Sequence, residues 1–235
     1  VYFREITIPE GLSALETLVL LTANRFGNPE GLKRALLRTD WIKDMAPEAR
    51  NLEGYLFPET YRFRRTADSE TIIKTMVLQF RAQIKKALSL YSMQPGWSVS
   101  ETVILASMIE KEVRKVAEGP MVASVLTNRI DKKMPLACDA TIIYAMKLAG
   151  TYEGRLGKKD MVMDSPYNTY RHLGLPPGPI CNPGADSLRS ALNPAKTDYL
   201  YYVSRNDGTH QFSKDYRSHL NAVNIFQRPL ALRRN

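Results

Sequence analysis

Hydrophobic positions along this chain recur at intervals that predict helices joined to a few short strands. Near the amino end, an alternating stretch that ends at Ile8 predicts a strand. Ser13 and Glu16 then form a capping box that begins a helix, and a second short helix is predicted to end at Leu36. We interpret residues 1–50 as a small αβ subdomain.

A long amphipathic helix is predicted farther along, where large apolar side chains recur at three and four residue intervals over residues 72–88. The segment before it, residues 52–61, is dense in aromatic side chains but is interrupted by glycine and proline. Such a segment predicts a packed connection rather than a long element. We therefore place a domain boundary just before it, with residues 51–235 forming a second, larger domain.

Three more helices are predicted in the middle of the chain. Ser98 and Glu101 make a second capping box, and the helix that they begin is expected to end at Gly119-Pro120. Apolar spacing then predicts helices over residues 121–130 and 140–148. The apolar faces of these helices are expected to form core walls.

The stretch from 164 to 184 contains five prolines and three glycines and predicts an irregular, stiff loop. Loops of this kind often shape functional sites. A helix from about residue 186, a hairpin over residues 199–212 and a closing helix over residues 216–226 are predicted to follow. Because strands and helices are segregated without a βαβ repeat, the predicted fold class is α+β.

The charge balance favours an acidic partner. Lysine and arginine outnumber aspartate and glutamate by 33 to 24, a formal net charge of +9. A phosphate polymer, an anionic lipid or a carboxylate-bearing glycan would satisfy it. The basic residues are scattered without the spacing of a nucleic-acid motif, so nucleic acid is not expected. Cys138 and Cys181 lack metal-ligand spacing and are expected to be ordinary small side chains, so we predict no metal and no cofactor.

The sequence contains no run of about 18 apolar residues that would span a bilayer, and no signal peptide. Its first residue lies within the predicted strand and is not methionine. We therefore expect the chain to be a piece of a longer protein, with any membrane anchor before its first residue.

The main candidate for chemistry is a glutamate near the end of the helix that Ser98 and Glu101 begin. Residues 103–109 are apolar on nearly every face, which predicts a helix buried among other elements. Glu110 shares a side with Val103, whereas Glu112 projects about 160° away. Burial and the negative end of the helix dipole both favour a protonated acid, the form needed to donate a proton to a glycosidic oxygen.

The alternative is a pair of solvated ion pairs. Glu110 stands four residues before Arg114, and Glu112 three before Lys115, both at spacings that suit surface pairs on a helix. Taken alone, the segment favours this alternative, because perturbed acids are rarer than surface pairs.

A set of motifs changes that balance. Residues 106–112 read Ala-Ser-Met-Ile-Glu-Lys-Glu and resemble the signature of the endolytic murein transglycosylases of the MltG (YceG-like) family. Further segments resemble the same family in the same order from Leu52 to Val223: Val122-Ala123-Ser124-Val125, Met134-Pro135-Leu136, Ser165-Pro166-Tyr167-Asn168-Thr169-Tyr170, Gly174-Leu175-Pro176-Pro177-Gly178, Asn182-Pro183-Gly184 and Tyr199-Leu200-Tyr201-Tyr202-Val203. So many motifs in register identify the chain as a member of that family.

The resemblance implies a lytic transglycosylase that cleaves the β-1,4 bond from N-acetylmuramic acid to N-acetylglucosamine in peptidoglycan. The products would carry 1,6-anhydro-N-acetylmuramic acid ends, and the cuts would help to terminate nascent glycan strands. Glu110 would serve as both acid and base, because the attacking nucleophile is the sugar's own 6-hydroxyl. A hydrolytic glycosidase normally needs two carboxyl groups.

The resemblance also implies substrate-binding residues. Asn168, Tyr170 and Tyr167 lie in the family's Tyr-Asn-Thr-Tyr motif and are expected to contact the muramyl ring. As an alternative, Asn168 would bond its own loop and the tyrosines would be wall residues. Asp139 and His210 are weaker candidates. Asp139 is expected to cap the helix that starts after it, and His210 is expected to be exposed beside the hairpin turn.

One motif departs from the family pattern. The family often has Gln-Ser/Thr-Asp-Pro-Thr where this chain has Ala137-Cys138-Asp139-Ala140-Thr141, so a substrate contact by that glutamine is in doubt here. Residues 1–50 resemble the later part of the family's LysM-like subdomain, which helps to hold glycan.

By resemblance, the whole protein is a single-pass inner-membrane protein with its catalytic part on the periplasmic side, and penicillin-binding synthases are expected partners. Two other functions remain open. One is a hydrolytic muramidase with Asp139 or Glu112 as second acid, and the other is a noncatalytic glycan-binding module that positions cell-wall synthases.

Overall fold

A computed structural model describes residues 2–228, in which helices combine with two small antiparallel sheets, as the α+β prediction expected. The helices are α1 (Ala14–Ala23), α2 (Pro29–Leu36), α3 (Ser69–Leu90), α4 (Val99–Glu112), α5 (Gly119–Asp131), α6 (Asp139–Ala149), α7 (Ala185–Leu192) and α8 (Tyr216–Phe226). The strands are β1 (Phe3–Thr7), β2 (Thr60–Arg64), β3 (Tyr201–Ser204) and β4 (His210–Ser213). The part of the chain that the structure describes contains no helix with both the length and the hydrophobicity needed to cross a membrane.

The chain forms two compact units, each built from two segments. The first unit combines residues 2–111 with Pro176–Leu192, and the second combines Glu112–Leu175 with residues 193–228. Strand β1 pairs antiparallel with β2 inside the first unit, with Ile6 opposite Tyr61. This pairing joins segments on either side of the boundary predicted at residue 50, so the units do not divide there. The assignment of residues 1–50 to a LysM-like subdomain stays a prediction.

Local signals set most of the helix starts in the first unit. Ser13 accepts from the backbone of Glu16 while Glu16 reaches back to the backbone of Ser13, so the predicted capping box is confirmed. The same exchange links Ser98 and Glu101 at the start of α4. Helix α3 buries its apolar stripe, in which Phe80 meets the ring of Tyr55 edge-on at 5.1 Å.

Strand β2 was not predicted. Residues 60–64 alternate between exposed and buried side chains, and the buried Tyr61 and Phe63 stack with their ring centroids 5.7 Å apart. The glycine and proline just before this stretch made the whole segment resemble a connection, although the strand begins directly after them.

The end of α4 also differs from the prediction. The helix stops at Glu112 instead of continuing to Gly119-Pro120, and that pair begins α5. Proline is favoured in the first turn of a helix because its missing N–H has no partner there. The prediction was wrong because proline was taken as a stop signal.

The second unit contains α5, α6, the β3–β4 hairpin and α8. Tyr201 lies opposite Ser213 in the hairpin, and the connecting turn places Asn206 and Gly208 at φ angles of 65° and 85°. Helix α8 packs on both strands and spans the residues predicted for the closing helix.

Candidate active site

Glu110 lies in the last turn of α4, after eight consecutive buried residues, Thr102–Ile109. Its own side chain is half-buried, and Oε2 accepts a 3.0 Å hydrogen bond from the backbone N–H of Gly184. Because α4 ends at Glu112, Arg114 lies beyond the helix and the spacing for a helical Glu110–Arg114 pair is lost. The carboxylate is held by backbone instead of by a surface cation.

Two glycines border this carboxylate. A Cβ atom on Gly11 would lie 3.6 Å from Cγ of Glu110. A Cβ atom on Gly184 would overlap the carboxylate of Glu10, so Glu10 lies directly against that glycine. Glu10 and Glu110 therefore both contact Gly184.

The loop that carries Glu10 is fixed by Asn182, which is buried. Asn182 exchanges backbone hydrogen bonds with this loop, accepting from Gly11 at 3.0 Å and donating to Leu12 at 2.8 Å. Its side chain also donates to Leu12 and accepts from the N–H groups of Gly54 and Leu56 at 2.9 and 3.0 Å. One asparagine thus ties together three separate segments of the first unit.

Glu10 is the residue that sequence reasoning missed. Its side chain is exposed, but partial burial and the negative charge of Glu110 raise the pKa of its carboxyl group. The Pro9-Glu10-Gly11 sequence was interpreted only as a turn after the first strand. The available signal was a charged residue inside that turn. Its spatial neighbour, Glu110, is remote in the sequence, so no local pattern links the two residues.

A second polar cluster lies in the second unit around Glu112. Oε1 of Glu112 accepts a 2.9 Å hydrogen bond from the Cys138 thiol, and the Tyr202 hydroxyl also bonds to this carboxylate. Burial raises the pKa of Glu112, and the two hydrogen bonds oppose that rise. Burial and the charge of Glu112 raise the pKa values of Cys138 and Tyr202 well above their ordinary range. These groups form a hydrogen-bonded network in which the Cys138 thiol and the Tyr202 phenol keep their protons at neutral pH.

Asp139 and Tyr170 lie together in the same unit. The Tyr170 hydroxyl donates a 2.5 Å hydrogen bond to Oδ1 of Asp139, and burial followed by this acceptor raises the pKa of the phenol. The expected cap by Asp139 is wrong, because α6 begins at Asp139 itself and Cys138 occupies the cap position without a side-chain bond. The carboxylate is directed to Tyr170, which remains 37% exposed.

Asn168 is fully buried within the proline-rich loop. Its Nδ2 donates to the carbonyls of Met161 and Met163 at 3.0 and 2.8 Å, and its Oδ1 accepts from the N–H of Tyr170 at 3.0 Å. All three bonds stay within residues 161–170. A direct contact between Asn168 and a sugar therefore stays a prediction.

Tyr167 and His210 also have protein partners. The ring of Tyr167 lies 5.0 Å from that of Tyr144. His210 was expected to be exposed, but its Nδ1 lies 2.7 Å from Oε2 of Glu118, and its ring meets Tyr202 edge-on at 5.3 Å. The structure thus brings Asp139, Tyr170 and His210 into one unit with Glu112, and it places Glu110 in the other unit with Glu10.

Comparison with known proteins decides the family. The model of the YceG-like family matches residues 2–225. The chain belongs to the YceG-like family. It is 44% identical over 169 residues to a protein of Bacillus subtilis named endolytic murein transglycosylase, covering 72% of this chain and 46% of the relative. A protein of Streptococcus pneumoniae with the same name is 36% identical over 181 residues, covering 72% of this chain and 31% of that relative. The chain therefore spans less than half the length of these relatives.

A solved structure supports the same grouping. The crystal structure of a YceG-like protein from Listeria monocytogenes superposes with a TM-score of 0.79 at 33% identity, covering 93% of this chain and 75% of that chain. At this identity and coverage, the fold of the YceG-like family extends over nearly all of the chain.

Two residues singled out in the sequence of this YceG-like chain, Ala137 and Cys181, have local partners. Ala137, where the family pattern often has glutamine, takes a left-handed φ of 52° and donates its N–H to Thr169 at 3.0 Å. Cys181 is a buried free thiol whose Sγ donates to the carbonyl of Ser107 at 3.3 Å. Both residues are engaged in local structure.

A cavity of about 680 Å³ lies elsewhere in the second unit. Its walls include Met146, Leu156 and Met163 together with Arg155 and Lys159. None of the predicted site residues lines it, so volume alone does not locate the chemistry of this chain.

Proposed function

We propose that this chain is the catalytic part of an endolytic lytic transglycosylase that cleaves the bond from N-acetylmuramic acid to N-acetylglucosamine in peptidoglycan. The observation that carries the proposal is the position of Glu110 at the end of a buried helix, with one carboxylate oxygen held by Gly184. The names of the Bacillus and Streptococcus relatives support the reaction class.

Glu110 acts first as the acid. A proton on its carboxyl group passes to the glycosidic oxygen as the bond to the anomeric carbon of N-acetylmuramic acid breaks. The backbone N–H of Gly184 fixes the direction of the carboxyl group, and in the ionised state it stabilises the negative charge that remains. Positioning by backbone suits this step, because a side-chain cation would compete for the carboxylate.

Glu110 then acts as the base. The ionised carboxylate removes the proton of the 6-hydroxyl of the same sugar while that oxygen attacks the anomeric carbon. The product is a 1,6-anhydro ring, and the proton count of Glu110 returns to its starting value. Intramolecular attack needs no captured water, so a second carboxyl group to activate water is not required.

We propose separately that polar groups of the second unit bind glycan. Tyr170 presents a half-exposed ring whose hydroxyl is set by Asp139, an arrangement suited to the face of a sugar. Asn168 shapes the loop that carries Tyr170. Tyr167 and His210 are proposed as wall residues, because each ring packs on another aromatic ring.

The Glu110→Gln variant tests the acid. Glutamine keeps the shape of the side chain and still offers Gly184 an acceptor oxygen, but it cannot donate an acidic proton. We expect strand cleavage to fall by at least about 100-fold, the scale of a general acid, with no change in urea unfolding. Glu30→Gln is the matched control, because Glu30 pairs with Lys33 on the exposed surface of α2.

Mass spectrometry of digested glycan strands separates the proposal from its rivals. Anhydro ends support the transglycosylase, whereas free reducing ends would indicate a hydrolytic muramidase. Full cleavage by Glu110→Gln would exclude Glu110 as the acid. Retained glycan binding without cleavage by the wild-type chain would favour a binding module that positions cell-wall synthases.

The setting of the reaction is also a proposal. We place the site on the outer side of the cytoplasmic membrane, which in a two-membrane cell is the periplasm, with an anchor outside residues 1–235. Residues 1–50 would contribute LysM-like glycan contacts, and penicillin-binding synthases would supply nascent strands. Termination of these strands is the proposed cellular role, and the net charge of +9 suits the carboxylates of peptide stems.

A further inference from the structure

Glu10 and Glu110 converge on one backbone position from opposite ends of the first unit's sequence. Gly184 donates its N–H to Oε2 of Glu110, and its Cα faces the carboxylate of Glu10 so closely that a Cβ atom would overlap it. Only glycine leaves room for both acids there. The arrangement is built by three segments that are distant in sequence.

The segment carrying Glu10 is held in place on both sides. The carbonyl of Gly11 accepts from the Lys111 ammonium group at 3.1 Å, and its N–H donates to Asn182. Glu10 itself remains exposed at the edge of this fixed loop. An exposed carboxylate is thus held on a fixed backbone, against the same glycine that donates to Glu110.

Charged groups on other elements of the first unit are engaged in bonds of their own. From α1, Glu16 accepts from the backbone of Ser13, and from the segment after α2, Glu53 accepts from Ala14. From α7, Asp186 pairs with Arg189. From α4, the Lys111 ammonium group donates to the carbonyl of Gly11. The Cys181 thiol is buried, and burial raises its pKa well above the ordinary value.

We propose that Glu10 is a positioning residue for the reaction proposed above, and that the two carboxyl groups that meet at Gly184 hold one proton between them until a glycosidic oxygen accepts it. The inference rests on that proposed function and adds a second carboxylate to it. Two nearby acids cannot both ionise without repulsion, so they hold one proton more firmly than either does alone. The raised pKa of Glu10, caused by burial and by the charge of Glu110, is consistent with this arrangement.

The sign of the effect follows from this repulsion. Replacing Glu10 with glutamine removes a negative charge, so the remaining acid loses its proton at lower pH. A general acid is active only while protonated. We expect Glu10→Gln to move the alkaline limb of the pH–rate profile of strand cleavage downward by about one pH unit. Glu10→Asp keeps the charge and should restore most of the wild-type profile.

Gly184→Ala provides an independent route to the same result. The φ of Gly184 lies outside the left-handed region, so alanine fits the backbone, and the added methyl group displaces only the flexible end of Glu10. We expect this variant to shift the profile in the same direction as Glu10→Gln. Combined with Glu10→Gln, it should add no further shift, because the group that it displaces has already lost its charge. Glu5→Gln, which removes an exposed charge from β1, is the control and should leave the profile unchanged.

Carbon NMR titration of labelled glutamate carboxyl groups tests the pairing without any enzymatic activity. The Glu10 signal should titrate at lower pH in Glu110→Gln than in the wild-type chain, because the charge of Glu110 contributes to the raised pKa of Glu10. If the wild-type chain does not cut glycan, the proposed function fails while the titration still decides the pairing. If the chain cuts glycan but the Glu10 signal does not respond to Glu110→Gln and the pH profile does not respond to Glu10→Gln, the role of Glu10 is overturned and the function stands.

Discussion

The thiol of Cys138 donates a 2.9 Å hydrogen bond to Oε1 of Glu112. Burial raises the pKa of both groups. The neighbouring Glu112 carboxylate raises the pKa of the thiol further, so the thiol stays protonated. A protonated, buried thiol is a hydrogen-bond donor and a poor nucleophile. Cys138 therefore serves the Glu112 network and not a covalent step.

Glu112→Gln should flatten the pH dependence of stability. A carboxyl group whose pKa is raised in the fold stabilises the protein below its ordinary pKa of about 4.3, and this contribution is lost as pH rises through the folded value. Glutamine accepts from Cys138 without acquiring charge. Urea midpoints measured from about pH 5 to about pH 8 should decline less in the variant than in the wild-type chain. Parallel curves for the two proteins would contradict this reasoning, and Glu30→Gln should follow the wild type.

Asn168→Ala should destabilise the protein by about 3 kcal/mol, because three buried hydrogen bonds lose their partner. Urea unfolding measures the change. Asn24→Ala is the control, since the exposed side chain of Asn24 donates to the carbonyl of Leu20, and its loss should cost less than about 0.5 kcal/mol. Wild-type stability together with lost cleavage in Asn168→Ala would instead indicate direct contact with substrate.

Tyr170→Phe should separate recognition from folding. The hydroxyl bonds to Asp139 at a half-exposed position, so its loss should cost less than about 1 kcal/mol of stability. Strand cleavage should fall about tenfold, the effect of one lost hydrogen bond in the transition state. Tyr216→Phe on the exposed face of α8 is the control. Equal cleavage rates for Tyr170→Phe and the wild type would leave the Tyr170–Asp139 bond a purely structural role.

Gly54→Ala should cost more stability than Gly96→Ala. Both glycines have left-handed φ angles, 87° and 78°, where alanine costs about 1 kcal/mol. A Cβ atom on Gly54 would also lie 2.5 Å from the ring of Pro179, whereas nothing lies within 4 Å at Gly96. The additional overlap should add about 2 kcal/mol, which thermal or urea unfolding would detect. Equal costs at the two positions would show that Pro179 can move aside.

Several parts of the fold followed from local sequence signals. The capping boxes at Ser13 and Ser98 set helix starts because their bonds close within three residues. The stripe of α3 followed from apolar spacing. The buried helix leading to Glu110 was predicted for the same reason, since an all-round apolar segment has no face to offer water.

The sequence by itself thus determined the helices, the family motifs and the position of Glu110 along α4. Only the tertiary structure decided which groups surround each candidate: Glu10 beside Glu110, Cys138 beside Glu112, and the enclosed amide of Asn168. Periodicity and caps depend on residues a few positions apart, whereas Gly184 reaches Glu110 across 74 positions. Contacts at that separation depend on how whole segments pack, and no local pattern along the chain encodes them.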